Sequence, residues 1–116
     1  MSRHSDAVLF RHMLEHAREA VDLIRGKTRA DLGNTRLLQL ALVRLVEVIG
    51  EAAARISPEG RQRLQAIPWD DVVRMRNKLI HDYNRVDLDI LWDTVTDDLP
   101  RLIRGVEGIL PPDLGP

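Results

Sequence analysis

An all-α bundle is the fold class this sequence predicts, on three observations. Apolar residues recur at three- and four-residue steps along several long stretches, the period of one helix face. Hydrophobic residues make up 44% and charged residues 30%, with the helix formers Leu, Ala, Arg and Glu abundant, as in a folded helical domain. Aromatics reach only 3% and β-branched runs are few, which argues against a sandwich or barrel. At 116 residues the chain fits one domain able to bury a core without cross-links, and the lack of cysteine removes disulfides, Cys-based zinc sites and thiol catalysis.

The first helix is expected from about Ser5 to Arg25. Val8, Leu9, Phe10, Met13, Leu14, Ala17, Val21 and Ile24 form its apolar face, and Gly26 ends it. Arg11, Glu15, Arg18, Asp22 and Arg25 alternate in sign on the other side, a solvated face with weak ion pairs. The segment KTRADLGN reads as a loop.

A second helix follows from about Thr35 to Ile56. Its apolar residues cover far more than one stripe, leaving Arg44, Glu47, Glu51 and Arg55 as the only clear polar strip. Such a helix is central, or it also meets a second subunit. Ser57-Pro58-Glu59 carries three helix-start signals: a capping hydroxyl, a Pro at the first helical position and an acid near the positive end of the dipole. That short helix stops before Pro68, because the residue preceding a proline is pushed out of the α region.

Trp69 to Leu79 or Ile80 is the next long element, with Asp70 and Asp71 in its first turn. HDYNRVD is a connector, and Asp87 caps a last helix from Leu88 to about Leu110. Pro100 should kink or split that helix, at a cost of about 3 kcal/mol unless the geometry accommodates it. Residues 1–110 thus form a single helical domain and 111–116 a short tail of turn or disorder. No run approaches the roughly 18 apolar residues of a membrane span, and the opening MSRHSDAVLF does not read as a leader, so a cytoplasmic location is expected.

The net charge of -1 conceals an uneven distribution. Residues 1–85 hold 15 Lys and Arg against 11 Asp and Glu, whereas residues 86–116 hold 2 against 7. A basic segment, Arg74, Arg76, Lys78 and Arg85, is therefore offset by an acidic C-terminal part.

Three groups of residues could carry chemistry. His4, His12 and His16 stand four residues or a multiple of four apart, a spacing that can grip a metal, but nothing completes a ligand set; structural or solvent-exposed histidines are favoured and no metal is expected. Glu47 and Glu51, one turn apart, could act as a carboxylate pair, although an ion-paired strip with Arg44 and Arg55 is favoured.

The third group is Arg76, Asn77, His81 and Tyr83, a permanent cation, an amide, a group that titrates near neutrality and the sole tyrosine within eight residues. Asn77 and His81 can share a helical face. Arg76 and His81, five apart, converge only if the helix ends or tightens near His81. The set suits phosphodiester cleavage by transesterification: His81 takes the proton of a ribose 2'-hydroxyl or gives one to the leaving oxygen, and Arg76 stabilises the charge growing on phosphorus. Neighbouring Arg74, Arg76 and Lys78 disfavour the imidazolium and keep part of the population as a competent base. One histidine serves as only base or acid in a given step, so two sites meeting across a two-fold axis would supply both. By spacing alone, however, a solvated helix cap is the commoner use of such residues.

The segment IPWDDVVRMRNKLIHDYNRVDLDILWDTVTDDLP resembles the HEPN-domain family, and within it the HepT-like bacterial ribonuclease toxins, whose signature is Arg, four residues, His, one residue, Tyr. Here these are Arg76, His81 and Tyr83, with Asn77 matching the polar residue that commonly follows the Arg; LVEVIGEAAARIS and LWDTVTDDLP extend the resemblance over nearly the whole chain. It implies a HEPN-type bundle of antiparallel helices, a homodimer whose two motifs face each other across a composite cleft, and metal-independent RNA cleavage, with tRNA a possible substrate and no cofactor. Arg76 and His81 carry over as catalytic, Asn77 as their support, and Arg74, Lys78 and Arg85 as RNA contacts. It further implies a partner, a minimal nucleotidyltransferase antitoxin that transfers AMP from ATP to the motif tyrosine, here Tyr83. Added phosphate would bring negative charge and bulk to an Arg-lined cleft. Two other readings are a non-catalytic helical, nucleotide-binding or partner subunit of a nucleotidyltransferase complex, and a purely structural helical dimer.

Overall fold

The computed structural model describes residues 5–82 and 85–109, and the side chains of all of these except 76–82 and 85. The described chain is an all-α bundle: α1 (Asp6–Leu23), α2 (Arg29–Asn34), α3 (Arg36–Ala54), α4 (Pro58–Arg63), α5 (Trp69–Leu79), α6 (Leu88–Asp93) and α7 (Leu99–Glu107). A short antiparallel pair, β1 (Ile80–Asp82) and β2 (Arg85–Val86), interrupts it where the sequence suggested only a connector. No helix among the described residues is long and apolar enough to cross a membrane.

Helix α1 begins where the Ser5 hydroxyl accepts from the Val8 amide at 3.3 Å. It buries Leu9, Phe10, Met13, Leu14, Ala17 and Ala20, the three- and four-residue spacing of one face. Gly26, at φ +76°, follows the helix and turns the chain into a region that only glycine enters without strain. The expected loop after it contains a helical turn, α2. Thr28 and Asp31 form a reciprocal capping box, Asp31 N to Thr28 Oγ1 at 3.2 Å and Thr28 N to Asp31 Oδ2 at 2.8 Å, and Leu32 is fully buried beneath it.

Helix α3 packs against both α1 and α5, so its central position accounts for most of its apolar surface. At Gly50 a Cβ would lie 3.5 Å from the carbonyl oxygens of Val72 and Val73, the closeness that brings α5 down onto it. The far end of the pair is tied through α4: Arg61 donates to Ala53 O at 3.3 Å, and the Trp69 indole donates to Arg61 O and Leu64 O at 3.1 and 3.0 Å. Phe10 meets the Trp69 ring at 6.0 Å and Arg61 stands 5.6 Å over it. Because residue 53 adjoins this junction and residue 50 faces 72–73, α3 and α5 run antiparallel.

The Ser57 cap and Pro58 at the first turn of α4 stand as the sequence suggests. Beyond capping, Ser57 is bound to Asp6, whose carboxylate accepts from the Ser57 amide at 3.0 Å and from its hydroxyl, while the same hydroxyl accepts from Gly60 N at 3.0 Å. A Cβ at Gly60 would overlap the Asp6 carboxylate, so this junction has no room for a side chain. Asp6→Ala removes the acceptor for two part-buried donors and is expected to cost about 1–3 kcal/mol, read as a lower urea midpoint with an unchanged slope.

Asp87 caps α6, accepting from Asp89 N and Ile90 N at 3.0 Å each. Pro100 neither breaks nor sharply ends the helical limb that α6 begins. Residues Thr94–Asp98 widen into a π-helical turn that leads directly into α7, with Leu99 N bonded to Thr94 O. The Thr96 hydroxyl donates to Trp92 O at 2.8 Å. Widening before the proline relieves the clash between its ring and the carbonyl four residues back, which is the accommodation the sequence left open. Leu99, Leu102 and Val106 then enter the core, and α7 packs along α1, where Arg18 and Glu107 pair at the surface.

Candidate functional site

Position 76 lies in the last turn of α5, which ends at Leu79, and position 81 lies in β1. Asn77 and Lys78 share that last turn, and Arg85 opens β2, where it is the register partner of Asp82. One expectation needs correcting: Asn77 and His81 do not share a helical face, because the helix stops two residues before His81 and the chain turns into strand pairing. Tyr83 lies outside the described residues. Arg74 is an exposed side chain on α5, 3.8 Å from Asp71 one turn earlier.

The antiparallel pairing of α3 and α5 determines what else stands at this level. With residue 50 facing 72–73, positions 46–47 are level with 76 and positions 43–44 with 79. The beginning of α3 therefore lies toward the end of α5 that carries the motif. There the bundle exposes Leu37 and Leu40, 78% and 50% accessible, the large hydrophobics most open to solvent among the described residues. Arg44 and Glu47 lie next to them and pair at 3.7 Å, which agrees with the ion-paired strip; Glu51 is also engaged.

The α1 histidines take a structural arrangement. His16 Nδ1 lies 2.7 Å from the His12 carbonyl, which can only accept, so Nδ1 carries the proton. No group of three potential ligands that could hold a metal occurs among the described residues, and His4 lies outside them.

One feature had no signal in the sequence. A groove of about 690 Å³ opens between the start of α5 and the α6–α7 limb, in the size range of small-molecule and peptide sites. Its two walls come from residues 64–75 and 90–105, far apart in the chain, and the π-helical turn forms part of one wall. A Pro inside an otherwise helical pattern was the only hint that backbone would be rearranged there.

The chain matches the family profile of HepT-like ribonucleases over residues 13–109. It is 41% identical over 93 residues to the probable ribonuclease HepT of Thermococcus cleftensis, covering 77% of this chain and 84% of that protein. It is 33% identical over 99 residues to a candidate RNase of Caldanaerobacter subterraneus subsp. tengcongensis, covering 85% and 88%. A candidate RNase of Methanocaldococcus jannaschii is 30% identical over 107 residues, covering 92% and 98%. No solved structure gives a match.

Proposed function

From the premise that this chain belongs to the HepT-like ribonuclease family, within the HEPN superfamily, we propose that it is the cytoplasmic toxin of a two-component system, a homodimeric and metal-independent endoribonuclease that its partner nucleotidyltransferase silences by modifying Tyr83.

The observation that carries the reading is the coincidence of two features at one end of the bundle. Helix α5 ends between positions 76 and 81, and the start of α3, with its exposed Leu37 and Leu40, lies toward the same end. Exposed leucines beside the motif are surface that a second copy would cover, and a two-fold contact there brings two motifs together. Each protomer then supplies one His81. One takes the 2'-hydroxyl proton as the 2'-oxygen bonds to phosphorus; the other protonates the 5'-oxygen as its bond to phosphorus breaks. The products are a 2',3'-cyclic phosphate and a free 5'-hydroxyl. Arg76 from each side neutralises the phosphorane, with Asn77 supporting it. Arg74, Lys78 and Arg85 lie on the flanks, where they contact the RNA backbone and make binding weaken with salt.

The reading is tested by cleavage of RNA by the unmodified chain in excess EDTA. Activity that survives EDTA is the expected result, and activity restored only by added metal rejects it. The dimer is tested separately. Leu37→Glu with Leu40→Glu is expected to give a monomer in sedimentation analysis, with helix content intact and cleavage lowered at least tenfold. A dimer that persists in this variant moves the contact to another face.

A further inference from the structure

The groove beside α5 is polarised in a way that the RNA reaction does not explain. Its floor is apolar: Ile67, Val72, Met75 and Leu102 are buried, with Pro68 and Ile90 beside them. Its rim carries three carboxylates, Asp71, Asp93 and Asp98, against Arg101 and Arg104, and the Asp98–Arg101 pair at 3.2 Å is satisfied within the rim. Residues 86–109 as a whole hold six acidic side chains and two basic ones. A polyanion is therefore repelled from this face, whereas the basic residues are concentrated in 74–85. Along α5 the groove extends from Pro68 to Met75, about 10 Å or two helical turns at 1.5 Å per residue. That length accepts the i, i+3 or i+4, and i+7 side chains of one inserted helix. The exposed leucines of α3 lie toward the opposite end of α5, so a second copy seated on them leaves the groove open.

We propose that this groove docks a helix of the partner nucleotidyltransferase, apolar on the inserted face and bearing Lys or Arg along its margins. The proposal rests on the reading above for the identity of the partner, and on the groove's charge and shape for the kind of surface it presents. Met75 immediately precedes Arg76 in the chain, so a protein seated in the groove is held beside the motif while the RNA-facing cations remain outside its footprint. Docking and substrate binding thus use separate faces of opposite charge.

Two substitutions test the proposal without touching the motif. At Gly105 a Cβ would meet Ile67 at 3.5 Å, an ordinary contact, so Gly105→Leu fills the groove and also favours the helical backbone of α7. Asp93→Lys reverses an exposed rim charge. In calorimetric titration of the chain with the nucleotidyltransferase encoded beside it, each variant is expected to bind at least tenfold more weakly than wild type. AMP transfer to the chain should slow in parallel, and RNA cleavage by the variant alone should stay at the wild-type level. Binding within twofold of wild type in both variants overturns the proposal. Loss in Gly105→Leu with none in Asp93→Lys rejects the basic helix, and a changed oligomeric state of Gly105→Leu alone assigns the groove to a second copy instead. A wild-type chain that cuts RNA but forms no complex also overturns the docking. A chain that forms the complex but never cuts RNA rejects the ribonuclease reading, and the two variants still decide the docking.

Discussion

Replacing His81 by Ala is expected to reduce RNA cleavage by about 10²–10⁴-fold in single-turnover assays, the usual loss when a general acid or base is removed. Arg76→Ala should cost about 10²–10³-fold, the scale of losing one donor to a developing oxyanion. Both variants should melt close to wild type. The comparison is informative because the two residues fail differently. Without His81 the remaining reaction should lose its dependence on pH near neutrality, since the only motif group that titrates there is gone. Without Arg76 the pH dependence should remain on a lower plateau. Cleavage that persists in both variants at wild-type rates would remove the motif from the chemistry and leave a contaminating nuclease or another site to account for it.

Tyr83→Phe should separate catalysis from control. The variant is expected to cut RNA as wild type does and to remain active after incubation with the nucleotidyltransferase and ATP, while the wild-type chain loses its activity. In the modification, the Tyr83 oxygen bonds to the α-phosphorus of ATP, the bond to the β-phosphate bridge breaks, pyrophosphate leaves and the phenolic proton goes to solvent. Because Tyr83 is the sole tyrosine, intact mass reports this reaction without ambiguity over the acceptor. Each added AMP leaves a phosphodiester whose charge and bulk occupy a cleft suited to an RNA phosphate. A mass increase in Tyr83→Phe, or inactivation of that variant by an active transferase, would place the modification on another residue.

The parts of this fold that could be read from the sequence are those determined by residues close together in it. Ser57 followed by Pro58, Asp87 ahead of Leu88 and Gly26 after an apolar stripe each fix a helix end through contacts within one turn. Thr28 and Asp31 carry the same kind of signal, but the surrounding loop composition obscured it. The helical breadth of α3 was legible too, as was the tension at Pro100; whether the chain would kink, split or widen depended on packing against α1 that no local pattern encodes. The strand pairing of 80–82 with 85–86 and the groove between residues 64–75 and 90–105 arise only when separate segments meet. For the candidate site, the identities of Arg76, His81 and Tyr83 were explicit in the sequence. The level of Leu37 and Leu40 relative to them depended on the close approach at Gly50, a single missing side chain whose neighbour lies more than twenty residues away.

The widened turn at Thr94–Asp98 also works as a phase corrector. Down the limb the core takes Leu91, Val95, Leu99, Leu102 and Val106, and the first two steps of four residues would drift round a regular α-helix, whose four-residue step overshoots a full turn by about 40°. The wider turn absorbs that drift, so the second half of the limb re-enters the core on the same side as the first. This segment should therefore tolerate changes of residue far better than changes of length. Deleting a single position between 94 and 98 would restore a regular thread and rotate everything beyond it by about 100°, carrying Leu102 and Val106 away from α1 and bringing Arg101 or Arg104 towards it.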